Sequence, residues 1–255
     1  MAREMRELEK LLFVAEKAAC RAGAFLSRTK IKDNKILTDL GKDVKISADL
    51  HSEKIIINML RAKSEFDILT EESGFLPGAS GKHLLWIVDP IDGTMNFLRG
   101  IPINCVSIGL WRGNEPLLGV IYDFNKNELF SGIARKIAYL NKKRIKVSAL
   151  SKEASAVLCT GFPVNTDFSS RGLLRFTKQI QNYKKVRLIG SAALSLAYVA
   201  AGRADVYREN NIMLWDVAAG AAIITGAGGN VQMLPLAKEN AFSVYASNRR
   251  LFRQR

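Results

Sequence analysis

Apolar positions at Leu8, Leu11, Leu12, Ala15, Ala18, Ala19, Ala22, Phe25 and Leu26 recur every three or four residues. That period predicts one long amphipathic helix opening the chain. Residues 31–43 are polar and include Gly41, and read as a loop or loose hairpin. Ser47 is a good N-cap for a second helix that turns Ile56, Ile57 and Leu60 inward and places Asp49 in its first turn. Residues 66–70 form a short strand ending at Glu71-Glu72. The run Leu84–Val88 is continuously apolar and predicts a buried strand, which Pro90 is expected to stop. Residues 105–111, 117–122 and 128–132 are strand-like, with Arg112-Gly113-Asn114 as a hairpin turn.

From about Ser148 the texture changes. Residues 156–161 and 186–189 predict buried strands, with an amphipathic helix between them around 168–183. Gly190-Ser191 leads into a small-residue helix over 192–201, closed by Gly202. A strand follows over 204–208, then an Ala-rich helix from Asp216 to Gly228-Gly229, then strands at 231–234 and 242–246. The alternation implies an α+β N-terminal half, residues 1–147, followed by an α/β C-terminal half, residues 148–255. No flexible linker separates them, so packed subdomains are expected.

Composition narrows the class. The chain has 255 residues, 48% of them hydrophobic, enough for one large or two intimately packed domains. No apolar run approaches the roughly 18 residues of a membrane span, and the charged start resembles an amphipathic helix rather than a signal peptide. The three cysteines, Cys20, Cys105 and Cys159, are widely spaced and read as reduced thiols of a cytoplasmic protein. The net charge of +14 is compatible with a polyanionic partner. Tight basic clusters are limited to Lys142-Lys143-Arg144 and Arg249-Arg250, and no nucleic-acid-binding signature is present, so nucleic acid is not the expected partner. A positive field would equally collect a phosphorylated small molecule.

Carboxylates recur at junctions between elements: Asp49, Glu71, the Asp89/Asp92 pair and Asp216. Singly, each has a structural explanation, since an acid in the first turn of a helix favours the macrodipole. Two acids three positions apart at the foot of a buried strand are harder to place without a partner. Oxygen ligands suit a hard cation, and Mg²⁺ is usually held by a few carboxylates together with substrate phosphate. Gly93-Thr94 follows at once and can offer backbone N–H groups to an anion if a helix starts there. His51 and His83 carry no assigned role, and no Gly-x-Ser-x-Gly elbow is present.

The stretch Asp89-Pro90-Ile91-Asp92-Gly93-Thr94-Met95-Asn96-Phe97 resembles a signature of the inositol monophosphatase family, and Trp215-Asp216-Val217-Ala218-Ala219-Gly220 resembles its second signature. Thr70-Glu71-Glu72-Ser73-Gly74, Gly190-Ser191-Ala192-Ala193-Leu194 and Ala200-Ala201-Gly202-Arg203-Ala204-Asp205 are similar to further family segments, in the same order. The resemblance implies a layered αβαβα sandwich, a homodimer, and Mg²⁺-dependent hydrolysis of a small phosphate monoester, with Mn²⁺ as a substitute ion. By that resemblance Glu71, Asp89 and the Ile91 carbonyl hold one ion. Asp89, Asp92 and Asp216 hold a second, and a weaker third sits near Glu71. Asp92, Gly93 and Thr94 bind the phosphate. Asp49 and Thr94 orient the attacking water beside Glu71. Glu209 contacts a substrate hydroxyl, and Ser191-Ala192 and Asp216 complete that rim. Met95 stands where the family commonly has Thr, a change expected to affect packing rather than ligation. Inositol 1-phosphate is the default substrate. Fructose 1,6-bisphosphate, histidinol phosphate and 3′-phosphonucleotides remain open, as does an RNA- or transcription-associated role.

Overall fold

The computed structural model describes residues 2–30, 35–40, 43–81, 83–163 and 166–252. Helix α1 (Ala2–Leu26) follows the predicted apolar stripe. The expected loop or loose hairpin at 31–43 contains β1 (Ile36–Leu40), which pairs antiparallel with β2 (Asp43–Ile46) as a hairpin would; residues 31–34 and 41–42 of it lie outside the described residues. Helix α2 (Ser47–Arg61) begins where expected, but Ile46 rather than Ser47 holds the cap position. The Asp49 carboxylate reaches back to accept the Ile46 N–H at 2.9 Å, which leaves the Ser47 hydroxyl to accept the Lys35 N–H at 3.1 Å.

An eight-stranded sheet follows, in the order β10-β9-β8-β7-β6-β5-β3-β4. Its strands are β3 (Asp67–Thr70), β4 (Gly74–Leu76), β5 (Leu84–Asp92), β6 (Cys105–Arg112), β7 (Glu115–Asp123), β8 (Glu128–Ile133), β9 (Ile137–Leu140) and β10 (Lys143–Arg144). The short helix α3 (Thr94–Leu98) lies between β5 and β6. Pro90 does not stop β5. The pairing with β6 slips between Asp89 and Asp92, and a proline inside such a bulge interrupts no ladder bond.

The second sheet has the order β12-β11-β13-β15-β14. It is built from β11 (Val157–Cys159), β12 (Lys185–Arg187), β13 (Val206–Met213), β14 (Gly229–Pro235) and β15 (Ala241–Asn248). Helices α4 (Ser170–Ile180), α5 (Ala192–Ala200), α6 (Leu214–Gly226) and α7 (Arg249–Phe252) complete the chain. Strands β11 and β12 are shorter than the apolar runs that announced them, and β13 is longer.

Strand alternation sorts the core into layers. Trp86 and Val88 face Ala15, Ala18, Ile56 and Leu60 of α1 and α2. On the other face Ile87 and Trp111 meet Leu214, Ala218 and Ala221 of α6. Helices α5 and α6 fill the space between the sheets, where Ile121 and Phe130 share a core with Leu196, Val217, Tyr207 and Val244. A smaller cluster of Leu158, Val206, Tyr245, Tyr183 and Leu251 covers the outer face of the second sheet. The result is an αβαβα sandwich.

Helix α6 is Ala- and Gly-rich because it lies directly on sheet backbone. A Cβ added to Gly119 would stand 2.1 Å from the Ala219 carbonyl oxygen. Trp111 Nε1 donates to the Ala218 carbonyl at 3.1 Å across the same seam. Gly119→Val is therefore expected to destabilise the protein by about 3 kcal/mol through overpacking, measured as a lower urea midpoint. An unchanged midpoint would contradict this packing.

Candidate active site

Strands β3 and β5 run parallel as neighbours, and both deliver acids at their carboxyl ends. The ladder closes with the Glu71 N–H donating to the Val88 carbonyl at 3.2 Å, and Asp89 follows directly. The ligand-bearing edge of a parallel pair is its carboxyl edge, and these acids occupy it. From the second sheet, the β12–α5 junction brings Ser191 and the β13–α6 junction brings Asp216 to the same place.

Carboxylate oxygens of Asp89, Asp92 and Asp216 lie within 4.8 Å of one another. Glu71 stands outside that trio but borders the same cleft and interacts with the Asp89 side chain. The cleft, about 260 Å³, is also bordered by Ile91, Gly93, Thr94, Ser191, Ala192 and Glu209. Asp49 is buried on α2 among acids rather than on the cleft wall. The sandwich thus brings together ten of the eleven residues singled out from the sequence along one cleft, with the eleventh behind it.

Backbone N–H groups hold Asp89, Asp92 and Asp216. Asp92 accepts the Ala193 N–H at 2.9 Å, the Ala192 N–H at 3.2 Å and the Ser191 hydroxyl, so it caps helix α5 from across the chain. Asp89 accepts the Ile91 N–H at 3.0 Å, and Asp216 accepts the Met213 N–H at 3.0 Å. Thr94 Oγ1 donates to the Ile91 carbonyl at 3.0 Å. Ser191 also accepts the Leu194 N–H at 3.2 Å, so its hydroxyl ties Asp92 to the start of α5 at the edge of the cleft.

Burial and crowding push these carboxyls toward the neutral form. Glu71 and Asp89 are driven well up, first by burial and then by neighbouring charge: from Asp216 and Glu72 on Glu71, from Glu71 and Asp92 on Asp89. Burial raises Asp49 to about 7 and Glu209 to about 8, with Glu72 and Asp216 adding to the respective shifts. Asp92 is raised by burial, opposed by its donors at the start of α5. Asp49 Oδ1 is buried without a hydrogen-bond partner. Crowded anionic oxygens with unspent acceptor capacity fit a hard divalent cation, whose charge would reverse these shifts.

Gly93 has φ of +91°, a left-handed conformation that turns β5 into α3, and a Cβ there would stand 2.9 Å from the Ile103 carbonyl. Helix α3 spans five residues, so any anion binding there would rest on individual N–H groups rather than on a developed macrodipole. Met95 is 46% exposed and borders the cleft, so it faces a ligand's approach rather than internal packing.

Sequence reasoning missed the wall formed by Thr160, Gly161, Phe162 and Pro163. A Cβ on Gly161 would lie 2.7 Å from Glu209 Oε1, so only glycine lets that carboxylate lie against the chain. A Gly-Phe-Pro turn directly after a parallel strand was the available signal. The same wall bounds a second cavity of about 430 Å³, lined also by Phe176, Arg208 and Gln179. His51 and His83 border neither cavity, and the three cysteines are free thiols.

Fold and cleft define the class: a layered αβαβα sandwich with a carboxylate cluster able to hold metal. The model of the inositol monophosphatase family matches residues 7–248, and the chain belongs to that family. It is 39% identical over 84% of its length to "Nus factor SuhB" of Xylella fastidiosa, covering 78% of that protein. It is 38% identical over 87% of its length to the inositol-1-monophosphatase of Mesorhizobium japonicum, covering 84% of it. The solved suhB protein of Bartonella henselae superposes with a TM-score of 0.86 at 34% identity, with 96% of each chain covered.

Proposed function

We propose that this chain is a cytoplasmic, Mg²⁺-dependent phosphomonoesterase acting on a small polyol or sugar phosphate, with inositol 1-phosphate as the default substrate. The carrying observation is the convergence of Asp89, Asp92 and Asp216 oxygens within 4.8 Å. Glu71, Asp89 and the Ile91 carbonyl would hold one ion; Asp89, Asp92 and Asp216 a second; a third would sit near Glu71. When bound, divalent cations lower the pKa of water and neutralise charge on a transferring phosphoryl group. The Gly93 and Thr94 N–H groups cradle the phosphate. Asp49 and Thr94 orient water beside Glu71, and Glu209 accepts from a hydroxyl of the leaving group. The cavity beyond Glu209 supports a leaving group of at least sugar size.

The test is a panel of inositol 1-phosphate, fructose 1,6-bisphosphate, histidinol phosphate and adenosine 3′,5′-bisphosphate, each with Mg²⁺ and with EDTA. Mg²⁺-dependent phosphate release is expected, with one compound preferred by about a hundredfold in kcat/KM, or about 2.7 kcal/mol of differential transition-state binding. Release that persists in EDTA, or none on any compound, would refute the reading.

A homodimer is supported by α4, which fully buries none of its side chains and leaves Leu174 56% exposed. A second, RNA- or transcription-associated reading is supported by the net charge of +14 and by the relative named a Nus factor. RNA binding that falls steeply between 50 and 200 mM salt and survives in a phosphatase-dead variant would favour it (salt range about that used for counterion release).

A further inference from the structure

We propose that helix α2 is a two-pronged clamp that fixes the spacing between the Glu71 turn and the Asp89–Asp92 bulge, with Ser52 and Glu53 as its positioning residues. The proposal rests on the metal site above and assigns to it residues that do not touch the cleft.

The need for a clamp follows from the sheet. The register of β3 with β5 ends at Thr70 opposite Val88, with one last bond from the Glu71 N–H to the Val88 carbonyl. After Glu71 the backbone turns away into β4, while β5 bulges between Asp89 and Asp92. The β3–β5 ladder therefore stops at Glu71 and does not tie the turn after it to the Asp89–Asp92 bulge.

Two consecutive residues of α2 span that gap. Ser52 is fully buried, and its Oγ donates to the Pro90 carbonyl at 3.0 Å, which holds the bulge between Asp89 and Ile91. Glu53 is buried and grips the other segment on both sides of Glu71-Glu72. Its Oε2 accepts the Thr70 hydroxyl and the Ser73 N–H, the latter at 3.2 Å, and its Oε1 accepts the Ser73 hydroxyl. Thr70 Oγ1 in turn accepts the Glu72 N–H at 3.3 Å. Asp49 lies one helical turn before Glu53, so the helix that carries it also sets the positions of the acids on both strands. A buried carboxylate that accepts three hydrogen bonds from one turn costs more than an apolar side chain would, and such groups are retained where they fix geometry.

The experiment measures Mg²⁺ response in two ways, by half-saturation of phosphate release and by the rise in melting temperature with Mg²⁺ in the absence of substrate. Glu53→Gln keeps the shape and is expected to raise the Mg²⁺ half-saturation by about tenfold, the lower end of the effect of losing an outer-sphere partner. The Mg²⁺-induced rise in melting temperature should shrink in parallel. Ser52→Ala removes one hydroxyl, keeps the fold secure, and should raise the half-saturation about fivefold. Variants that melt earlier in EDTA yet respond to Mg²⁺ as the parent does would overturn the clamp and leave a purely structural role. A parent chain without any Mg²⁺ response would sink the functional reading and the clamp together, which separates the two failures.

Discussion

Replacing Asp89 by Asn is expected to abolish phosphate release while raising the melting temperature of the metal-free protein. Asp89 is 1% exposed, and burial and the charges of Glu71 and Asp92 oppose its ionisation. Asn is neutral without a bound proton, so the substitution removes the cost of keeping Asp89 protonated in the folded state, while weakening its bonds with the Ile91 N–H and the Glu71 side chain. A gain of about 1 kcal/mol, or roughly 2–4 °C in a chain of this size, is the expected scale. Turnover should fall by more than about 10³-fold, since even an outer partner of a metal ligand commonly costs 10–100-fold. Asp92→Asn is the control. It should lose comparable activity without becoming more stable, because both Asp92 oxygens accept from Ser191, Ala192 and Ala193, and an amide NH2 in place of one oxygen leaves a buried donor unpaired at a cost of about 1 kcal/mol or more. Activity assays at saturating Mg²⁺ and melting curves in EDTA check both. Full turnover in either variant, or a less stable Asp89→Asn protein, would overturn the assignment.

The second large effect is on pH. Burial holds Asp49 near 7 and Glu209 near 8, and Glu71 and Asp89 are also raised. Between the ordinary carboxylate range and these values the folded protein keeps protons that the unfolded chain has released. Stability of the metal-free protein must then fall as pH rises from about 4.5 to about 8, by a few kcal/mol in total. Mg²⁺ binds the deprotonated carboxylates, so its stabilising effect should grow with pH over the same interval. Urea titrations at pH 5.5, 7 and 8.5, in EDTA and in Mg²⁺, test this. Metal-free stability that rises with pH would refute the account of the cluster as crowded, unpaired acids.

Much of the molecule was legible in the chain itself. The 3.6-residue stripe of α1, the small-residue character of α5 and α6 and the alternation of strand and helix after Ser148 each report a local packing demand, and local demands are written locally. Local pattern failed at Pro90 and at Ser47. Pro90 looked like a strand terminator because its missing N–H is fatal in a ladder, but a bulge placed it where no ladder bond exists. Ser47 looked like a cap because the signal for a cap is a residue type, whereas Asp49 captured the role through a side chain that also belongs to the acid cluster.

The sequence alone determined the kinds of chemistry available: five junction carboxylates, a Gly-Thr turn, and helices small enough to lie between sheets. Which of those carboxylates meet was decided by tertiary structure. Asp216 reaches Asp89 and Asp92 because α6 lies on Gly109 and Gly119 of the first sheet, and Asp92 is oriented by a helix that starts a hundred residues later. That Thr160–Pro163 walls the cleft, and that Ser52 and Glu53 reach the two strands, was fixed for the same reason only in three dimensions. A side chain's partner is fixed by distance in space, and periodicity along the chain carries no information about segments that approach one another only after the sheets have stacked.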